Sequence, residues 1–149
     1  MCLLVIGSSS VSAEESIKHL RVYAEHFVDS VRKKRGCTLD YTFRSLIVAS
    51  DVALDYGAIY KDAIERKDPR AETFLVEAVY QLTGYFGEVY CRNYGASWVI
   101  RDDPDDVLIQ VGERQFPLYS DARGTVKLRY PALTLRFPKI QEAFLRLKE

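Results

Sequence analysis

The chain is short of the features that most often announce a function. It has 149 residues with only three cysteines, one methionine, one tryptophan and five prolines. Cys2, Cys37 and Cys91 form an odd set without CxxC spacing, which excludes a disulfide framework and a zinc-finger pattern. Reduced thiols are the expectation, with a Cys37–Cys91 pair left open for an oxidising compartment. No charge of one sign prevails: Lys plus Arg and Asp plus Glu number 21 each. That balance argues against a nucleic-acid binder, whose affinity rests largely on phosphate contacts. No apolar run approaches the roughly 18 residues of a membrane span. No Gly-rich loop joins a strand to a helix as phosphate sites require, and no GxSxG elbow occurs. No cofactor or metal site is expected.

What is present suits one globular domain over 1–149. Apolar residues make up 48% and charged residues 28%, enough to build a core without staples. Ten Tyr and seven Phe make the chain Tyr-heavy. Tyr combines a large apolar body with a polar tip and favours half-buried places and interfaces.

Residues 1–12 carry three readings: a first strand at Leu3–Ile6, an unstructured start, or a signal-peptide remnant. The last rests on Val11-Ser12-Ala13, which has the small residues of a cleavage site but no basic region before it. A cytoplasmic location is expected, with export as the alternative.

Three helices are predicted next. Ser12 and Glu15 fit a capping box, so the first helix should begin near Ala13. Ile17, Leu20, Ala24, Phe27, Val28 and Val31 form its apolar stripe. Gly36 ends it just after Arg32-Lys33-Lys34-Arg35. This basic run suits a helix C-terminus, and contact with an acidic partner is the sharper reading. Asp40 or Thr42 should cap the second helix, whose stripe is Leu46, Ala49, Ala53, Tyr56, Tyr60 and Ile64, with Phe43 and Ile47 beside it. Asp68-Pro69 opens a third, from about Arg70 to Asn93, ended by Gly95.

The period then changes. Ser97–Arg101 reads as a strand, Asp102–Asp105 as a turn, and Val107–Val111 and Arg114–Leu118 as a hairpin turning at Gly112-Glu113. Thr125–Tyr130 and Leu133–Phe137 are further strand candidates, and Pro138 should open a short last helix through Leu147. The expected class is α+β: three N-terminal helices on a small C-terminal antiparallel sheet, with a short final helix.

Chemistry has few places to reside. His19 and His26 lie seven apart on the first helix, whereas a helical metal pair prefers four. On the third helix Glu77, Gln81, Gly84, Glu88 and Cys91 share a face. A solvated face with a Glu88–Arg92 pair is the plain expectation. Gly84 and Gly87 point instead to a close approach by another backbone, with Glu88 as a buried structural carboxylate accepting from the sheet. A third reading makes Glu88 a general acid or base, with Asp40, Asp51 or Asp55 as a second carboxylate.

Leu39-Asp40-Tyr41-Thr42-Phe43-Arg44-Ser45-Leu46 resembles an LDYxxxSL helix opening. Gly84-Tyr85-Phe86-Gly87-Glu88-Val89, followed by Asn93-Tyr94-Gly95-Ala96-Ser97-Trp98, resembles a GxYxGE…GxxW pattern. Over residues 39–118 the chain thus looks like small uncharacterised bacterial proteins grouped as domains of unknown function, some found among secreted or toxin-immunity genes. The resemblance implies Asp40, Tyr41, Gly87, Glu88, Gly95 and Trp98 as signature positions, and no reaction. The functional expectation is a non-enzymatic protein-binding module of accessory or immunity type, acting on a protein partner or as a homo-oligomer. The alternative is a small hydrolase or transferase built on Glu88. Binding through aromatic anchors should show as a contiguous patch drawn from Tyr23, Tyr56, Tyr60, Tyr80, Tyr90, Tyr94 and Tyr119.

Overall fold

The computed structural model describes residues 3–5, 10–101 and 106–148, and side chains from residue 13 onward. The elements run β1 (Leu3–Val5), α1 (Ser10–Arg35), α2 (Ser45–Glu65), α3 (Ala71–Tyr94), β2 (Ser97–Ile100), β3 (Val107–Val111), β4 (Arg114–Phe116), α4 (Leu118–Leu128) and α5 (Ala132–Arg146). The class is α+β, with three helices ahead of a small sheet and two helices after it.

The long amphipathic periods hold. In α1 the residues Ala13, Ile17, Leu20, Ala24, Phe27 and Val31 are buried, at spacings of three and four. The helix starts at Ser10, slightly ahead of its expected start, and the proposed Ser12 capping side chain lies outside the described residues. Its basic end is engaged by the chain's own acids: Arg32 and Lys33 pair with Asp29, and Arg35 with Asp55. In α2, Leu46, Ala49, Ala53, Tyr56 and Tyr60 face inward as expected, but Ile47 and Ile64 point out, at 68% and 47% exposure. The turn before α2 is built by relay. Asp40 Oδ1 accepts from the Thr42 hydroxyl and N–H at 2.7 and 3.2 Å, and Thr42 Oγ1 accepts from Ser45 N–H at 3.3 Å.

The central element is α3. From Leu82 to Cys91 every residue is buried, the pattern of a helix enclosed on all sides. It packs against α1, α2, α4 and β2. Of the face expected to be solvated, Glu77 is exposed and Gln81 half-buried, whereas Gly84, Glu88 and Cys91 are buried, with α1 crossing at Gly84. Gly95 caps α3 with φ 62°, a left-handed turn that glycine adopts without penalty.

The sheet has the order β1-β2-β3-β4. β2, β3 and β4 are antiparallel, and the hairpin turns at Gly112-Glu113 as expected, with Val111 opposite Arg114. β1 joins the far edge in parallel, Leu3 opposite Trp98 and Val5 opposite Ile100. The sheet is therefore mixed, and the apolar N-terminal run contributes a strand. The expected Asp102–Asp105 turn lies outside the described residues.

The end of the chain differs from expectation. Thr125–Tyr130 and Leu133–Phe137 are not strands. Most of the first segment lies in α4, where Leu118, Asp121, Ala122, Thr125 and Val126 are buried at helical spacing. The second opens α5, which buries Leu133, Ile140 and Ala143. Pro138 sits inside α5 and does not begin it. Its ring removes one backbone donor, and Thr134, four residues earlier, is exposed, so water can serve the carbonyl left over. Asp121 ties the two helices: its carboxylate accepts from Arg136 Nε and Nη2 at 2.7 and 3.1 Å, a bidentate geometry.

A first prediction concerns Gly124 in α4, where an added Cβ meets nothing within 4 Å. Gly124→Ala should raise stability by about 0.5–1 kcal/mol, the helix-propensity difference, read as a higher urea midpoint. A lowered midpoint would show that α4 is not helical there.

Candidate functional site

Four of the signature positions, Tyr41, Gly87, Glu88 and Trp98, are linked by contacts at one seam between α3, β2 and the turn before α2. Gly87 faces the indole of Trp98: a Cβ there would lie 1.9 Å from Trp98 Cη2. It is the ring, not a backbone, that requires this glycine. The backbone approach occurs at Gly84, where a Cβ would lie 2.2 Å from the Leu20 carbonyl oxygen of α1.

Glu88 is 5% exposed and occupied on both oxygens. The Trp98 indole N–H donates to Oε2 at 3.2 Å. Arg21 Nε lies 3.3 Å and Arg92 Nη2 3.7 Å from Oε1. The expected backbone donors of the sheet are thus replaced by an indole and two guanidinium groups. Trp98 is fully buried, so a partner for its N–H matters: an unpaired buried donor costs about 1–3 kcal/mol. Arg92 also stacks on the Tyr41 ring, 3.7 Å from its centroid.

Tyr41 adopts φ +61°, a left-handed conformation costing an ordinary residue about 1–2 kcal/mol. Three contacts hold it. Its N–H donates to the Tyr85 hydroxyl at 3.1 Å, its carbonyl accepts from Asn93 Nδ2 at 2.8 Å, and Arg92 covers its ring. Ser45 Oγ donates to the Thr42 carbonyl at 2.6 Å. Its single proton is then used, so Tyr85 must donate in the Ser45–Tyr85 contact. Burial pushes the Tyr85 phenol up from its ordinary value, which keeps that proton in place.

Tyr41, Gly84, Gly87, Glu88, Arg92 and Trp98 therefore share a structural assembly that ties α1, α3 and β2 to the turn before α2, while Asp40 shapes that turn through Thr42 and Gly95 caps α3. The carboxylates considered as second acids stand apart from Glu88. Asp40 serves Thr42, Asp55 pairs with Arg35, and Asp51 stands at the rim of a cleft between α2 and α5. Arg21, Ser45, Tyr85 and Asn93 belong to the assembly and were not singled out from the sequence. Their partners are remote along the chain, and no local spacing reveals them.

Surface depressions lie elsewhere, and two of them bear on the sequence expectations. One is a groove along α1 and α3, with a part of about 350 Å³ lined by His19, Val22, Tyr23, His26, Glu77 and Gln81. It adjoins a part of about 250 Å³ that includes His19, Tyr23, Tyr80 and Val107. Tyr23 stacks on Tyr80 at 5.3 Å, Tyr80 meets Tyr119 at 5.4 Å, and His26 sits edge-on to Tyr23. All three tyrosines are half-buried, whereas Tyr56, Tyr60, Tyr90 and Tyr94 are core residues. The other depression is the α2–α5 cleft, of about 540 Å³ and mainly apolar. Sequence reasoning missed it because one wall was read as a strand.

Among the described residues, no cluster of three or more His, Cys, Asp or Glu could hold a metal ion. Cys37 and Cys91 are not joined in a disulfide. No described helix is long and apolar enough to cross a membrane. No protein-family model, curated protein or solved structure matches this chain.

Proposed function

We propose that this chain is a non-enzymatic protein-binding module of bacterial accessory or immunity type, docking through the α1–α3 groove. The observation that carries the reading is the row Tyr80–Tyr23–His26 along that groove, continued beyond it by Tyr119 of α4 against Tyr80. Half-buried tyrosines are pre-ordered, so a partner gains apolar contact and hydroxyl hydrogen bonds at little entropic cost. Exposed Val22, His19 and Glu77 around them supply a mixed rim, as interface edges usually show. The full engagement of Glu88 supports binding over a hydrolase or transferase reading centred on that residue.

The test is affinity capture from native extract with the wild-type chain and a Tyr23→Ala/Tyr80→Ala variant, followed by affinity measurement on the captured protein. Loss of the two anchors should weaken binding at least tenfold, about 1.4 kcal/mol. Tyr130→Ala, at an exposed tyrosine after α4, should leave it unchanged. Equal affinity of the groove variant and the wild type would remove the reading. Self-association lost in the same variant would make a second copy the partner.

A further inference from the structure

The chain is neutral as a whole, but its charge is unevenly placed. Residues 117–139 carry five cations, Arg123, Lys127, Arg129, Arg136 and Lys139, against one carboxylate, Asp121. Arg136 consumes that carboxylate in its bidentate pair. Lys127, Arg129 and Lys139 are exposed, and no ion pair among the described residues includes any of them. Cations gathered without counter-charges create a positive field that an anionic partner relieves.

The second observation is apolar. Leu128, Tyr130 and Leu135 are 73%, 56% and 52% exposed, and the first two alternate with cations in Lys127-Leu128-Arg129-Tyr130. α4 and α5 are tied to each other twice, by the Asp121–Arg136 pair and by Leu133 N–H donating to Thr125 Oγ1 at 3.3 Å. Both turn a buried side inward, Val126 in α4 and Leu133 and Ile140 in α5, so the corner between them stands at the surface. Arg129 makes that corner with φ +53°, a left-handed conformation that costs a residue other than glycine. Its stem rests on α2, with Cγ 3.1 Å from where a Cβ on Gly57 would be. Leu128, Tyr130 and Leu135 line neither the tyrosine groove nor the α2–α5 cleft; they project from the fold.

We infer that the α4–α5 corner is a peripheral contact with an anionic lipid bilayer. Lys127, Arg129 and Lys139 meet the headgroups, and Leu128, Tyr130 and Leu135 enter the boundary between headgroups and acyl chains. Segments that lie in this boundary combine Lys and Arg with Leu and aromatic residues, and the amphipathic Tyr ring suits that depth. A nucleic acid would answer the cations and leave the leucines without apolar cover. An acidic protein would need hollows shaped to receive three projecting side chains, whereas a fluid bilayer needs none. The inference stands apart from the protein-binding reading, since it uses no residue of the α1–α3 groove.

The test is co-sedimentation of the full chain with phosphatidylcholine vesicles, with and without phosphatidylserine. Binding is expected to the anionic vesicles alone, and to fall as salt is raised, because exposed charges are screened. Lys127→Gln/Arg129→Gln/Lys139→Gln should weaken it about a hundredfold, at about fivefold per cation. Leu128→Ser/Tyr130→Ser should weaken it about tenfold or more through lost apolar burial. All these positions are exposed, and an unchanged urea midpoint shows that each variant folds. Tyr23→Ala/Tyr80→Ala should bind the vesicles as the wild type does, so this inference and the groove reading fail separately. Polyglutamate is the soluble acidic probe. Binding to it as tight as to the vesicles, and indifferent to Leu128→Ser/Tyr130→Ser, would make an acidic protein the partner and overturn the lipid assignment. No binding to anionic vesicles, equal binding to both kinds, or full affinity in either corner variant would overturn it as well.

Discussion

Gly84→Ala is expected to lower the stability of the chain by about 3 kcal/mol, although alanine is the better helix former. In an isolated helix the same change gains about 1 kcal/mol. Packing decides the sign. The new methyl would sit 2.2 Å from the Leu20 carbonyl oxygen, 3.1 Å from its carbon and 3.2 Å from Ala24 N. These are backbone atoms of α1 and cannot rotate aside. Relief requires α1 to withdraw along the contact where Ile17, Leu20, Ala24 and Phe27 are buried, and overpacking of this kind costs about 1–3 kcal/mol and occasionally more. The chain supplies its own probe. Trp98 is the single tryptophan and is fully buried, so its emission should shift to the red on unfolding. A urea titration of Gly84→Ala should show a much lower midpoint. A midpoint at or above the wild-type value would mean that α1 does not cross α3 there. Gly124→Ala, with open space around it, is the matched control of opposite sign.

Glu88→Ala should cost about 2–3 kcal/mol, and Glu88→Gln about 1 kcal/mol. Three groups lose a partner in the alanine variant, and they do not suffer equally. Arg21 and Arg92 have side chains 45% and 53% exposed, so both can turn into water, and exposed ion pairs contribute little. The cost comes from the Trp98 N–H, left unpaired in the core at about 1–3 kcal/mol, and from the space vacated beside it. Glutamine keeps the shape and an oxygen able to accept from the indole, so most of the loss should be recovered. Urea unfolding of both variants, followed by Trp98 emission, gives the comparison. Equal and small effects of the two substitutions would remove the structural role assigned to Glu88 and return it to the list of candidate catalytic groups.

The parts of the fold legible in the sequence were those with long periods and clear stops. α1, α2 and α3 repeat their apolar residues over many turns, and Gly36, Asp68-Pro69 and Gly95 punctuate them. α4 and α5 were not legible as helices. α4 is 11 residues long, and its Thr125, Val126 and Tyr130 neighbourhood favours a strand on propensity. Leu133–Phe137 invited the same reading. Both became helical because their buried residues recur at three and four only when α4 packs on α2 and α3 and Asp121 holds Arg136 of α5. Pro138 resembled a helix start and is an interior residue whose penalty is softened at an exposed surface.

The candidate residues divide in the same way. Gly84, Gly87 and Glu88 were visible as departures from what a plain amphipathic helix would choose, Asp40 and Gly95 as a helix cap and a helix stop, and Tyr41 and Trp98 as positions that the resemblance implies. What they do was not visible. Gly87 accommodates an indole, Gly84 admits a carbonyl of α1, and Tyr41 is held in a left-handed turn by Tyr85, Asn93 and Arg92, residues 44 or more positions away. The tyrosines show the same limit. Composition singled out seven, and burial left Tyr23, Tyr80 and Tyr119 as a row at the surface while drawing Tyr56, Tyr60, Tyr90 and Tyr94 into the core.

By itself the sequence determined the α+β class, three helices with their inward faces, the hairpin at Gly112-Glu113, and the positions where small or charged residues interrupt a core pattern. These depend on neighbours within a turn or two, and local spacing records them. Only the tertiary structure decided that the last third carries two helices, that β1 closes the sheet in parallel, that Glu88 serves Trp98, and that a cleft opens between α2 and α5. Each of these is a contact between segments far apart in the chain. Its free energy comes from burying surfaces against one another, which no local period encodes.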